Sequence, residues 1–419
     1  MLTNLFSGLR ESVMMLRPRT RIAWGWDMLT GVFAGLYQGC IWTFVMRVAR
    51  ADMHASGAQI AWISAAPALG YIFATVWARQ MEGRSKLPFV YWTWLIARGA
   101  FLLAPMIHTR TQYVALVCLT PIIFSISTPA YTATMKEIYP DRQRGRLMSV
   151  VRIGMNLSML SAALVMGRLL DSGVLDYKLA FMIGGVFGVF SAWTFSRIPV
   201  QTKGVSDEPR VSTFDFLKDT VDILRRNPGF RWFSASVFVS GFGNILAATL
   251  YPIYQVDRFH VSNTDVANMQ NIAAVVTVVG FIFWGGFLDK RGPLTTVLVA
   301  LGFNLITPLI YALAGSVHAL YLAAAASGLA VAGVDLGYIN TTLMFAEKGK
   351  AAQYQALHSS FFGIRGTIAP QFAIPLMASV GARGAFWISL GIMMAGVGLQ
   401  VISMRDFRRQ AAEERASAA

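Results

Sequence analysis

Charge is scarce in this chain. Only 14% of its 419 residues are Asp, Glu, Lys or Arg, and 55% are hydrophobic. Soluble domains carry about 25% charged residues, so a soluble enzyme is not expected. Cysteine is nearly absent. Cys40 and Cys118 both sit inside apolar runs, and no disulfide framework or metal cluster follows from them. The histidines at 54, 108, 260, 318 and 358 are dispersed. No Walker-type lysine loop occurs, which argues against ATP as the energy source. No convincing catalytic pair is legible, and no cofactor is implied. A cleavable signal peptide is not expected either. The first long apolar run starts near Trp24, behind Arg10, Arg17, Arg19 and Arg21, with no small-residue cleavage site after a short core.

What the chain has instead is long apolar runs. A bilayer core of about 30 Å needs roughly 20 apolar residues per helix. Twelve such spans are expected, near 25–48, 57–79, 88–107, 112–136, 145–169, 178–197, 230–256, 264–288, 293–314, 317–345, 351–379 and 383–404. The fold class is therefore all-α and polytopic. Leu2, Leu5, Phe6, Leu9, Val13 and Leu16 share one helical face, which predicts an amphipathic segment within 1–24 lying in the membrane interface. The one long polar stretch, 198–229, divides a six-span half at 25–197 from another at 230–404, and 405–419 forms a tail. A short helix capped by Ser212 or Thr213 is expected inside that linker.

The net charge of +15 has two readings, nucleic acid or a membrane surface. The basic residues are scattered through loops and not gathered in one domain, so no nucleic-acid partner is expected. They are also asymmetric. With the N-terminus inside, the outer segments keep only Arg47, Arg50, Arg110, Arg168, Lys178, Arg258 and Arg383. Arg98, Arg152 and Arg365 fall within spans, and the other 26 of the 36 Lys and Arg residues lie inside. Cytoplasmic loops carry that excess. Both termini are expected in the cytoplasm, with the chain in a cytoplasmic (inner) membrane.

One stretch carries a motif. Gly280-Phe-Ile-Phe-Trp-Gly-Gly-Phe-Leu-Asp-Lys-Arg-Gly-Pro293 joins two spans through a charged turn at 289–293. Its spelling, Gly285-x-x-x-Asp289-Lys290-x-Gly292, resembles the signature loop of the major facilitator superfamily. The matching place in the first half, Gly70 to Lys86, repeats the Gly-aromatic-Ile-Phe opening but lacks the Asp; Glu82 is the nearest substitute. Ala180-Phe181 and Ala385-Phe386 each open the last span of a half. The resemblance covers nearly the whole chain. It implies two six-helix repeats and a secondary transporter working by alternating access, with a site near the midplane between the halves. It also implies a conformational latch at Gly285, Asp289, Lys290 and Gly292, with Asp289 meeting the start of the fifth span near Arg142, Arg144 and Arg146. The alternative for Asp289 is a solvated turn residue.

Charge inside a span marks function by default. Asp335 in span ten and Arg365 in span eleven lie at similar depth, roughly 15–21 Å from the cytoplasmic ends. Either Arg365 holds an anionic group while Asp335 sets its charge or carries a proton, or the two form a permanent ion pair. Arg152, one turn before Asn156, either lines a cavity or snorkels to the interface. Arg98 is expected to be structural beside a carboxylate, and Asp27 to cap an interface or pair with Arg98 or Arg152; a proton-coupling role for Asp27 is the other choice. Gln38, Tyr37, Tyr131, Asn244, Asn340, Tyr338 and Gln371 read as a polar and aromatic pocket, with hydrogen bonding between helices as the plain alternative for each. Tyr251 and Asn271 join the polar set, and Trp42 and Tyr254 the aromatic walls, on the same grounds. His358 is either a proton carrier or a satisfied buried imidazole. Three embedded arginines against two carboxylates point to a small anionic solute; coupling to protons and a monomer in the lipid bilayer are expected with it. The alternatives are proton-driven export of cationic or hydrophobic compounds, and a non-transporting receptor or assembly factor. Against export, Val151-Arg-Ile-Gly-Met-Asn-Leu-Ser stands where drug–proton antiporters of the superfamily carry a Gly-Pro-rich pattern.

Overall fold

The computed structural model describes residues 17–72, 77, 81, 84–140, 143–200, 222–347 and 351–418. The expected segment at 2–16, the capped linker helix at 212–221 and most of the first-half loop at 73–83 lie outside them. Every regular element among the described residues is helical. We number them α1 (Pro18–Cys40), α2 (Gly57–Ile72), α3 (Lys86–Gly99), α4 (Arg110–Ile138), α5 (Arg144–Asp171), α6 (Tyr177–Ser196), α7 (Pro228–Phe259), α8 (Asn263–Arg291), α9 (Pro293–Leu313), α10 (Val317–Phe345) and α11 (Ala351–Ala418).

Ten described helices are long and apolar enough to cross a membrane. One of these, Gln353–Arg409, has 57 residues, about 85 Å at 1.5 Å per residue, enough for two passages. It breaks at Gly381, where φ is 72° and ψ 167°. The described part of α2 has 16 residues. Several spans are not uniform helix. Span one continues past α1 into a π-helical turn at Val48–Asp52, and α3 passes into a 3₁₀ stretch at Ala100–Met106. Within α9, Pro308 has no N–H to give the carbonyl four residues back, and the helix breaks between Asn304 and Ile306.

The chain forms two compact units: residues 1–49 with 73–207, and residues 50–72 with 208–419. In the first, α1 lies between α5 and α6. Gly31, Gly35 and Gly39 form a stripe along α1, and a side chain there would strike Val151, Met155, Met159 and Ala162 of α5. Small residues at every fourth position let two membrane helices approach at backbone distance, where dispersion replaces the hydrophobic effect that lipid does not provide. In the second unit α8 meets α10 the same way. Gly328, Ala332 and Gly333 face Ala273, Gly280 and Trp284, and the fully buried Trp284 indole donates to the Leu329 carbonyl at 2.9 Å. The opposite face of α8 carries Val275, Val279 and Ile282, the last 77% exposed, as suits a lipid-facing surface.

The signature stretch differs from its sequence reading in one respect. Helix α8 runs through Asp289, Lys290 and Arg291, and α9 starts at Pro293, so Gly292 alone is the connection. Its φ of 78° and ψ of 167° lie in a region open essentially only to glycine. The three charged residues stay helical because Lys290 and Arg291 in the last turn complement the helix dipole.

Candidate functional site

In the first unit the polar residues form two nests. Asp27 on α1 is 2% exposed and accepts a hydrogen bond from the Tyr139 hydroxyl at 2.5 Å. Tyr139 follows α4 directly, where the chain leaves the helix in extended conformation. Asp27 therefore pairs with neither Arg98 nor Arg152: a phenol, not a cation, reaches it. The Tyr131 hydroxyl is within electrostatic range of both Asp27 and Arg152. Arg152 is exposed and Asn156 half-buried.

The second nest is built round Arg98, at the end of α3 and 4% exposed. No carboxylate pairs with it among the described residues. Its guanidinium lies over the Trp94 ring at 4.0 Å, with Tyr37 and Phe124 both at 5.5 Å, and donates to the Ser191 hydroxyl. The expected carboxylate partner is thus replaced by ring faces, whose negative quadrupoles attract a desolvated cation. Tyr37 is held in place by the Trp42 indole, which donates to its oxygen at 3.1 Å. Tyr131 stacks near Trp94, 5.8 Å between centroids. Gln38 has only a long 3.8 Å contact to the Met155 sulfur.

In the second unit, Arg365 on α11 is 6% exposed. Its Nη1 donates to the Val237 carbonyl of α7, and its Cζ lies 5.6 Å from the Phe362 ring centre. The Tyr338 hydroxyl of α10 is also a hydrogen-bond partner of the guanidinium. The half-buried His358 packs against Tyr338, with 5.2 Å between ring centroids, and is within electrostatic range of Arg365. Nε of Arg365 has no hydrogen-bond partner. Asp335 lies three residues before Tyr338, is exposed, and forms no ion pair with Arg365. The permanent ion pair considered from the sequence is not formed: Tyr338 and a backbone carbonyl stand where a carboxylate was expected.

The remaining candidates are more dispersed. Asn340 donates to the Leu336 carbonyl of its own helix at 2.7 Å. Asn244 is half-buried, and so is Gln371, whose amide nitrogen has no partner. Tyr251 stacks on Tyr311 at 3.9 Å, a contact that favours a structural reading. Tyr254 accepts from Arg383 at 3.2 Å. Asp289 and Lys290 are exposed, and a Cβ on Gly285 would meet nothing within 4 Å. Arg142 and the Arg146 side chain lie outside the described residues. Sequence reasoning missed Tyr139, Trp94, Ser191 and Gly241. Trp94 and Ser191 look like ordinary apolar-run residues, and Tyr139 like a loop residue beside Pro140 and Asp141. A signal for Gly241 exists in the small-residue spacing of Ser240-Gly-Phe-Gly243 on α7.

The arrangement can bind an anion or move a proton, but it holds no nucleophile–base pair for covalent chemistry. A model of the Major Facilitator Superfamily matches residues 28–370 and, in a second overlapping match, 233–418. The chain belongs to the Major Facilitator Superfamily. It is thus a membrane transporter of that superfamily and not an enzyme. Solved structures of the same fold include a mutant of the nucleoside transporter NupG, 11% identical with a TM-score of 0.72, covering 91% of this chain and 99% of that one. A POT family transporter in complex with a thioalcohol-conjugated peptide is 11% identical, with a TM-score of 0.70 over 92% and 96%. A bacterial homolog of the human lysosomal transporter Spinster, inward-facing and occupied, is 15% identical, with a TM-score of 0.65 over 93% and 98%. Among curated proteins, Multidrug resistance protein 2 of Bacillus subtilis (strain 168) is 22% identical over 251 residues, 57% of this chain. The match spans 60% of that relative's length. At these identities the superfamily likeness carries the fold, and the solute must be argued from the side chains.

Proposed function

We propose that this transporter moves a small anionic solute by alternating access, coupled to protons, with Arg365 as the group that meets the anion. One observation carries the reading: Arg365 is a buried cation in a membrane span with no carboxylate partner among the described residues and an unused Nε donor. A charge at such a depth costs several kcal/mol unless paired. A solute carboxylate or phosphate would supply that pairing and accept from Nε. Tyr338 and His358 flank the guanidinium, and Asp335 is the carboxylate placed to exchange a proton. Gln38, Tyr37, Tyr131, Arg152, Asn156, Asn244, Asn340 and Gln371 complete the set we assign to solute contact. Around it we assign two six-helix repeats, 25–197 and 230–404, joined by 198–229, and a latch at Gly285, Asp289, Lys290 and Gly292. The protein acts as a monomer in the inner membrane with both termini cytoplasmic.

A second reading is export of cationic or hydrophobic compounds in exchange for protons. It is favoured by the likeness to Multidrug resistance protein 2 and by the buried Asp27–Tyr139 pair, a carboxylate with no cation beside it. Thermal unfolding of purified protein with small carboxylates, phosphates and quaternary ammonium compounds separates the two. A ligand at about 100 times its Kd stabilises by roughly 2.7 kcal/mol. An anion should raise the unfolding midpoint of the wild type and not of Arg365→Gln. Stabilisation by cations alone, equal in both proteins, would replace the first reading with the second.

A further inference from the structure

Arg365 does not project freely from α11. It lies back against the backbone of α7, and the reason is a single missing side chain. A Cβ on residue 241 would overlap Nη1 and Cζ of Arg365 and come within 2.7 Å of Nε. Gly241 is thus a window in the wall of α7. The carbonyl reached through it is Val237, four residues earlier, which in an α-helix already accepts from the N–H of residue 241. A carbonyl oxygen has two lone pairs, so it can serve both donors. The same helix wall closes again at Phe242, whose ring packs on Phe372, about two turns beyond Arg365 on α11.

We propose that Gly241 is a positioning residue that seats the Arg365 guanidinium in a retracted place on α7, with Nη1 engaged and Nε buried without a partner. This deepens the anion reading above and rests on it for its functional meaning. The seat fixes which donors a ligand can use. With Nη1 committed to Val237 and Tyr338 on the guanidinium, an incoming anion meets a guanidinium held in one place and not a freely rotating side chain. Substitution at 241 would push the guanidinium out of the seat without removing its charge.

Arginine modification by phenylglyoxal tests this on the full-length protein without any ligand. The modified fraction at Arg365 is read by mass spectrometry over time. In the wild type the buried guanidinium should react slowly. In Gly241→Ala it should react faster by on the order of tenfold, because local release and not global unfolding governs the access of a buried group. Arg98, caged by rings in the other unit, should stay slow in both and reports on general unfolding. An unchanged Arg365 rate in a folded Gly241→Ala protein overturns the proposal. Should Gly241→Ala not fold, Gly241→Ala combined with Arg365→Ala should, since the space the Cβ needs is then vacant. Failure of that double variant also overturns it. Neither readout contains a solute, so loss of the anion reading in the thermal screen and loss of the seat here are separate results.

Discussion

Arg98 and Arg365 pose the same problem and meet different answers. Each is a cation inside a span, each leaves Nε without a partner, and neither has a carboxylate partner among the described residues. Arg98 has a ring face at 4.0 Å and two more at 5.5 Å. Cation–π contacts contribute about 2 kcal/mol or more each when desolvated, so the protein itself accommodates that charge. Arg365 has one ring at 5.6 Å, a carbonyl and the Tyr338 hydroxyl, which leaves its charge less compensated by ring faces. The first arginine is read as structure and the second as function on that difference. Replacing Trp94 with Ala should therefore destabilise by about 3–5 kcal/mol, the usual cost of deleting a large buried aromatic. It also removes the nearest cover of Arg98. Thermal unfolding in detergent measures this, and the folded fraction should keep wild-type affinity for any anion found in the screen. A Trp94→Ala midpoint equal to the wild type would show that the rings do not hold Arg98. Both arginines were legible in the sequence as misfits in apolar runs. Their partners were not, because a carboxylate is the obvious mate for a guanidinium and the rotation of α3 that turns Trp94 and Arg98 toward Phe124 and Ser191 leaves no mark in composition.

Helix existence was legible for a physical reason: lipid demands about 20 apolar residues per crossing, and few runs of that length serve any other purpose. The ends were less so. The charged cluster at 289–291 reads as a turn, yet it is the last turn of α8. Charge marks where a helix leaves the bilayer, whereas the helix itself ends where backbone geometry changes, at Gly292. The same backbone conformation recurs at Gly381, which divides α11. This separates two glycines that the signature spelling treats alike. Gly292→Ala places a Cβ where φ is 78° and should cost about 1–3 kcal/mol. Gly285 is helical with open space around its Cα, and Gly285→Ala should be neutral or stabilising by up to about 1 kcal/mol. Unfolding midpoints of the two variants should split accordingly. A Gly285→Ala protein of undiminished stability whose solute uptake is lost would support the latch, since its close approach would then belong to another access state. Equal midpoints for the two variants would mean that Gly292 is not the strained corner described here.

At the scale of the whole chain, the asymmetry of basic residues is the ground for the proposed orientation. Seven Lys and Arg residues fall in the segments assigned outside, against 26 inside, and retention of Lys and Arg in the cytoplasm is what orients a polytopic chain during insertion. Acidic residues contribute little to that choice, so the net charge of +15 says less than its distribution. Three exposed positions test it. Ser172, between α5 and α6, and Ser316, before α10, belong to the outer set; Lys290, at the end of α8, belongs to the inner one. Each is changed to Cys in a background where Cys40 and Cys118, the chain's two thiols, are replaced by Ala. A membrane-impermeant maleimide applied to intact cells should label Ser172→Cys and Ser316→Cys and leave Lys290→Cys unlabelled until the cells are permeabilised. The opposite pattern would invert the topology, and with it the side from which Arg365 first meets a solute. Equal labelling of all three on intact cells would mean that the chain inserts in both orientations, and the charge bias would then be too weak to have set one.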